Sequence, residues 1–298
     1  MSFRLANLDG RAVLLDCDSN WYDLERHSDG RYAADITQVI PEFTELTRDA
    51  DALITGSPDG TLAHHDRRLR PLSPQSSKIL AIGLNYAPHA AESKLELPDY
   101  PMVFPKFPNS LTGPYSEVKL PSASVDWEVE LVLVIGRRAR YISEDEALHY
   151  VAGATVGQDI SDRHVQMLGN PPQFGLGKSF DTFAPIGPHL VSLDQLDGAA
   201  DLHIWCDVNG ERLQDARTAD MIFSPARLVS YLSHVATLEP GDLIFTGTPS
   251  GVGLGFTPPR YLKPGDVIEC GIEGIGTLRN ECTTDERAYA YYAPSSTD

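Results

Sequence analysis

At 298 residues the chain has room for one large core and a small companion, because a single core stops growing near ~250 to 300 residues. Hydrophobic residues make up 42%, with 22 prolines and 24 glycines, which describes a folded, loop-rich chain and excludes disorder except at the tail. The net charge of -18, from 42 acidic against 24 basic residues, repels phosphate backbones and anionic lipid; nucleic acid and membranes are therefore excluded as partners, whereas a small anion held locally by a few cations is not.

The start, Met1 to Ala6, carries no apolar signal segment, and no apolar run approaches the ~18 residues that span a bilayer. Residues 1 to about 70 alternate short apolar runs such as Ala12-Val13-Leu14-Leu15 with turns, then show helical spacing at Ile36, Val39, Ile40, Phe43 and Leu46. This predicts a small α+β domain over residues 1–72. The polar, proline-marked stretch from Arg67 to Ser77 reads as an exposed linker, so a second domain is expected over 73–298. Cys17, Cys206, Cys270 and Cys282 are scattered without a C-x-x-C pair, which points to buried free thiols and a reducing, cytoplasmic setting.

In the second domain Lys78 to Gly83 reads as a strand, and the strongest strand signal is Glu128 to Ile135, rich in β-branched residues. Ser143 with Glu146 three residues on predicts a capped helix from Ala147, and Ser224-Pro225 predicts another carrying Leu228, Val229 and Leu232. The segment Leu238-Glu239-Pro240-Gly241-Asp242-Leu243-Ile244 is echoed by Leu262-Lys263-Pro264-Gly265-Asp266-Val267-Ile268. Both read as Pro-Gly turns feeding a strand.

Within the strongest strand, Glu128 and Glu130 lie two apart and so project from one face. If that face is buried, two carboxylates there need a cation or protons to persist; on an edge strand they would simply be solvated. Asp159 follows at a strand-to-loop junction in Val156-Gly157-Gln158-Asp159-Ile160-Ser161-Asp162-Arg163, a position that often holds site residues. Spacing does not separate it from Asp162. A set of three carboxylates suits Mg²⁺, Mn²⁺ or Ca²⁺ rather than zinc. His89 and Glu92, three apart, share one face if the segment is helical, forming an imidazole-carboxylate pair of the water-activating type or a plain surface pair. Lys178, between Gly177 and Ser179, is placed either to meet an anion or simply to solubilise the surface. The phosphate-loop pattern fails at Pro172, and Gly251 to Gly255 lacks the G-x-G-x-x-G spacing, so no nucleotide cofactor is expected.

Taken together, Gly83-Leu84-Asn85-Tyr86 with His89 and Glu92, Phe104-Pro105-Lys106, Trp127-Glu128-Val129-Glu130-Leu131, Gln158 to Arg163, Gly177 to Asp181, Val208 to Glu211, Thr246 to Gly253 and Glu273 to Gly276 resemble the fumarylacetoacetate hydrolase superfamily, in its acylpyruvase and 2-hydroxyhepta-2,4-diene-1,7-dioate isomerase-like branch. The resemblance spans about residues 78 to 282. It implies an α+β, β-rich mixed-sheet roll, metal ligands Glu128, Glu130 and Asp159, catalytic residues His89, Glu92 and Lys178, and substrate contacts at Lys106, Arg163, Gln166 and Thr248. It also implies a homodimer acting on a small anionic 2-oxo acid, with Mg²⁺ or Mn²⁺ as cofactor and Ca²⁺ as an alternative. The expected reaction is hydrolysis of a carbon-carbon bond in a 2,4-dioxo acid; decarboxylation or isomerisation of an oxo-diacid, such as oxaloacetate or a product of aromatic catabolism, and 2-hydroxydienoate hydration are the alternatives. A non-catalytic binding protein would be expected to lose ligands, and here all are kept. Pro105, before Lys106, departs from many relatives and leaves the specificity at the acyl end open.

Overall fold

A β-branched run is stable in the middle of a sheet only if both faces are covered, and Val129–Ile135 meets that condition. In the computed structural model, which describes residues 3–87 and 98–287, all seven of its residues are buried. Its faces feed different cores. Val129, Leu131, Leu133 and Ile135 join one hydrophobic cluster, whereas Val132 and Val134 join another, the period-two alternation of an extended strand. Each such side chain removed from water contributes about 1.5–3 kcal/mol.

The strand pairs antiparallel with Val151–Gln158 on one side and with Leu243–Phe245 on the other. Beyond Leu243–Phe245 lie Ile79–Gly83, in parallel, and Met102–Lys106. Beyond Val151–Gln158 comes Ala184–Val191, to which Arg4–Leu8 is joined by the pair Leu5 and Leu190. The same sheet then continues through Arg11–Leu15, Asn20–Asp23 and Gly60–Thr61. A second sheet runs Glu211–Arg217, His203–Val208, Val267–Ile272, Gly276–Thr284, Val118–Leu120, with only the last pair parallel. This is the β-rich mixed-sheet roll anticipated from sequence.

Helical expectations divide. Pro225–Val235 forms as predicted: the Ser224 hydroxyl accepts from the Arg227 amide at 3.2 Å, and Leu228, Val229 and Leu232 are buried. The N-terminal pattern becomes Ile36–Val39 and Phe43–Leu53, joined through a 3₁₀ turn. The helix expected after Ser143 does not form. Ala147–Tyr150 is a single 3₁₀ turn, because the strand Val151–Gln158 begins at the next residue and leaves no length for a second turn. The stretch from Arg67 to Ser77 is not simply an exposed linker either. Leu69, Leu72, Ser73 and Ser76 are buried, and the Ser73 hydroxyl donates to the Gly241 carbonyl at 2.7 Å. Of the four thiols expected to be buried, Cys17 is exposed and the other three are buried.

The Pro-Gly echo is structural. Gly241 and Gly265 take φ of +86° and +89°, and Asp242 and Asp266 each accept from the backbone three residues earlier, at Glu239 and Lys263, both at 2.7 Å. Two turns of the same type thus launch Leu243–Phe245 and Val267–Ile272.

A candidate metal centre at the floor of an apolar pocket

Glu130 lies on the buried strand and Glu128 immediately precedes it. Both are buried, so the edge-strand reading does not hold. The strand Val151–Gln158 delivers Asp159 beside them, its amide donating to the Glu128 carbonyl at 2.8 Å. One carboxylate oxygen from each of Glu128, Glu130 and Asp159 lies within 4.8 Å of the others. Asp162 turns away. Its carboxylate caps the short helix Arg163–Gln166, accepting from the Val165 amide at 3.0 Å, and takes a 2.6 Å hydrogen bond from the Ser122 hydroxyl.

Three cations stand on this acidic cluster. The Lys178 ammonium donates to Glu128 at 2.8 Å and to Asp159 at 2.5 Å. Lys106 donates to the other Asp159 oxygen at 2.6 Å and to the Lys178 carbonyl. Arg163 donates to Asp126 at 2.8 Å, to Glu128 at 2.7 Å and to Gln166 at 2.9 Å. Lys178 is brought in by the helix Phe174–Gly177. A Cβ on Gly177 would lie 2.5 Å from the Gln166 amide nitrogen, so only glycine lets this helix pack so tightly against Arg163–Gln166.

Protonation follows from burial and charge. Burial, reinforced by Asp159 and Glu128, holds the Glu130 carboxyl well above its ordinary range. Burial pulls Lys178 down, but Asp159 and Glu128 outweigh it and leave the ammonium raised. For Lys106 burial wins over Asp159 and lowers it. Arg163 is raised: burial opposes its charge, and Asp126 with Glu128 outweighs that cost.

A divalent cation fits this place. The donor set is all oxygen, as hard cations prefer, and Glu130, which accepts from the Gly247 amide at 2.7 Å, is a buried carboxylate that positive charge would favour. Glu128, Glu130 and Asp159 could therefore hold a metal ion.

Above the carboxylates opens a pocket of about 340 Å³, into which Glu128, Arg163, Gln166, Lys178 and Thr248 all face. Thr248 is fixed by donating to the Val129 carbonyl at 2.9 Å and accepting from Gln214 at 2.8 Å. Lys106 is buried behind Asp159 and is not part of the pocket wall. The fold thus gathers Glu128, Glu130, Asp159, Lys178, Lys106, Arg163, Gln166 and Thr248, while His89 and Glu92 lie outside the described residues.

Sequence reasoning missed Asp126. Buried completely, it accepts from Arg163, from the Trp127 amide at 2.7 Å, and from the Gly253 and Leu254 amides at 2.6 and 2.9 Å. It thereby ties the strand to the loop that closes one side of the pocket. The signal was present, since Asp126, Glu128 and Glu130 form an unbroken acidic alternation. Gln158, which stood in a motif without a role of its own, accepts from the Glu128 amide at 2.9 Å; Gln214, whose side-chain carbonyl accepts from the Val129 amide at 3.0 Å, had no sequence signal.

A mixed-sheet roll with a carboxylate cluster at the floor of a small-molecule pocket is the architecture of an enzyme site. Residues 78–283 match the model of the Fumarylacetoacetate (FAA) hydrolase C-terminal family, and the chain belongs to that family. Among curated relatives, it is 47% identical over 252 residues to a 2,4-didehydro-3-deoxy-L-rhamnonate hydrolase of Sphingomonas sp. (strain SKA58), covering 83% of this chain and 87% of the relative. It is 46% identical over 206 residues to the mitochondrial oxaloacetate tautomerase FAHD2B of Bos taurus, covering 68% of this chain and 66% of that one. Among solved structures, a putative HpcE protein from Mycobacterium smegmatis aligns with a TM-score of 0.89 at 42% identity, over 95% of this chain and all of that one. Fumarylpyruvate hydrolase from Pseudomonas aeruginosa, in complex with Mn²⁺ and pyruvate, aligns with a TM-score of 0.65 at 30% identity, over 75% of this chain and 95% of that one. These relatives thus include hydrolases and a tautomerase, and a probable 2-hydroxyhepta-2,4-diene-1,7-dioate isomerase from Mycobacterium abscessus aligns with a TM-score of 0.81 at 29% identity, over 96% of this chain and all of that one. Among the described residues no helix is long and apolar enough to cross a membrane.

Proposed function

We propose that this protein is a divalent-cation-dependent hydrolase that breaks a carbon-carbon bond in a 2,4-dioxo acid of the acylpyruvate type. The observation that carries the reading is the convergence of Glu128, Glu130 and Asp159 with Lys178 where Glu128 and Lys178 line the wall of one pocket. A cation on those carboxylates would supply Lewis acidity toward the 1-carboxylate and 2-oxo oxygens of the acid. Arg163 and Lys178 provide the positive field that receives the anionic head, Gln166 offers a hydrogen bond beside it, and Thr248, its proton committed to the Val129 carbonyl, lines the same wall.

Water adds at the 4-carbonyl, the C3–C4 bond breaks, and its electron pair leaves on the pyruvate fragment as an enolate that is then protonated at C3. The acyl fragment leaves as a carboxylic acid. Lys178, raised by its carboxylate neighbours, keeps its proton and faces the charge that develops on the enolate oxygen. His89, with Glu92 three residues on, is the sequence's candidate for taking the proton from water. The 47% identity to a hydrolase over most of both chains supports this reading. The oxaloacetate tautomerase relative favours a second one, in which the same site interconverts the keto and enol forms of an oxo-diacid without consuming water.

Incubating the Mn²⁺-loaded protein with acetylpyruvate and with oxaloacetate separates the two. Hydrolysis yields acetate carrying ¹⁸O from labelled water; tautomerisation yields only a change in enol absorbance. In the hydrolase reading Glu130→Gln weakens Mn²⁺ binding by at least about tenfold and His89→Ala abolishes acetate release. Undiminished acetate release by both variants would sink the proposed roles.

A further inference from the structure

We propose, resting on the reading above, that the far end of this pocket is a subsite for an uncharged, apolar acyl substituent, so that the preferred substrate is a monoanion with a neutral aliphatic or aromatic tail. The described wall of the pocket has two parts. Its cations, Arg163 and Lys178, belong to the acidic floor. Arg163 is engaged by Asp126, Glu128 and Gln166, and Lys178 by Glu128 and Asp159.

The polar floor ends where the Lys178 ammonium lies 5.0 Å from the centre of the Phe104 ring. Beside that ring, Met102, Met167, Phe174 and Leu254 present only carbon and sulfur side chains to the wall. Phe104 meets Phe174 edge to face with ring centres 5.8 Å apart. Met102 closes over Gly83, where an added Cβ would sit 2.3 Å from its terminal methyl. At the mouth Met167 is 49% and Leu254 37% exposed, an arrangement that leaves large apolar side chains in water unless a ligand covers them.

Charge and polarity both argue against a second carboxylate in this place. An ionised group set against Phe104, Phe174 and Leu254 loses hydration and finds no uncommitted cation among the described residues of the wall. An alkyl or aryl tail instead covers surface that is already apolar. The two methionines give that surface latitude in shape, since unbranched thioethers repack at small cost. The subsite therefore selects on charge strongly and on chain shape weakly.

The test compares two substrates that differ only in a terminal isopropyl group against a carboxylate of similar size: 4-methylpentanoylpyruvate and succinylpyruvate, each with the Mn²⁺-loaded full chain. The expected kcat/KM favours the neutral acid by at least about tenfold; equal or reversed preference overturns the subsite. Calorimetric titration of 7-methyl-2-oxooctanoate and 2-oxoheptanedioate, which lack the 4-carbonyl and so cannot be cleaved but carry the same two termini at the same distance from the head, separates the subsite from the reaction. Tighter binding of the neutral acid by about tenfold supports the subsite even if neither acylpyruvate is cleaved, a result that would overturn hydrolysis alone. Tighter binding of the diacid overturns the subsite even if both are cleaved. Leu254→Arg, or Met167→Arg should the first not fold, is expected to move the ratio toward the diacid by at least about tenfold, and an unmoved ratio places the tail elsewhere.

Discussion

Replacing Asp126 with asparagine keeps the shape of a completely buried side chain and removes its charge. Both carboxylate oxygens are acceptors: one serves the Trp127 and Gly253 amides, the other Arg163 and the Leu254 amide. An asparagine has only one acceptor oxygen, so its NH₂ must point at donors, either two backbone amides or a guanidinium and an amide. Breaking a buried ion pair costs about 3–5 kcal/mol, and the lower end applies because Arg163 keeps Glu128 at 2.7 Å. At about 2 °C per kcal/mol for a chain of this size, Asp126→Asn is expected to lower Tm by about 6 °C. Because the loop at Gly253 and Leu254 borders the pocket, kcat/KM should fall as well. Thermal unfolding followed by circular dichroism reads the first effect, with exposed Asp145→Asn as the control expected within about 0.5 kcal/mol of the parent. A Tm within 1 °C of the parent, by the ~2 °C per kcal/mol scale, would refute the idea that Asp126 organises this side of the site.

Burial, aided by Arg4, pushes His189 down to about 3 from its usual 6.5, so the folded state binds fewer protons there than the unfolded state. Its contribution to stability is complete above pH ~6.5 and is lost as pH falls toward ~3; between pH 7 and 5 the parent should lose about 2 kcal/mol more than His189→Gln in urea unfolding, and parallel slopes would contradict this. Burial raises the Cys270 and Cys282 thiols to about 12 and pushes Cys206 up as well. Only exposed Cys17 should therefore react with iodoacetamide in the native protein, and mass spectrometry showing more than one adduct before denaturation would be the contrary result. Gly251 has φ of +101°, and a Cβ there would sit 1.8 Å from the Leu213 carbonyl oxygen. Gly251→Ala is expected to cost more than about 3 kcal/mol, seen as a Tm drop of at least about 6 °C or loss of soluble protein; an unchanged Tm would mean that the loop can shift.

How much of this was legible in the residue order depends on the range of the interaction involved. The alternation of Glu128 and Glu130 inside a β-branched run, the Ser224-Pro225 start of a helix and the paired Pro-Gly turns are local patterns, governed by backbone geometry over a few residues, and each took its predicted form. The ordered string of short motifs carried the family. Local signals misled where a neighbour claimed the chain first, as at Ala147–Tyr150, cut to one turn by the strand that follows it.

The sequence alone determined which residue types were available to the site: three carboxylates, one lysine in a Gly-Lys-Ser turn, and an arginine with a glutamine three residues on. Spacing left Asp159 and Asp162 undivided and the family resemblance favoured Asp159; the tertiary structure supplies the physical reason. Asp159 rather than Asp162 joins the glutamates, because Asp162 is claimed by a helix terminus and two serines while the Asp159 amide is tied to Glu128. Asp126 emerged as an organiser because its partners at 163, 253 and 254 are distant in the chain and adjacent in space. The apolar end of the pocket, assembled from Met102, Phe104, Met167, Phe174 and Leu254, has no sequence signature at all. Each of those residues is an ordinary hydrophobe, and folding over some 150 positions is what sets them around one cavity.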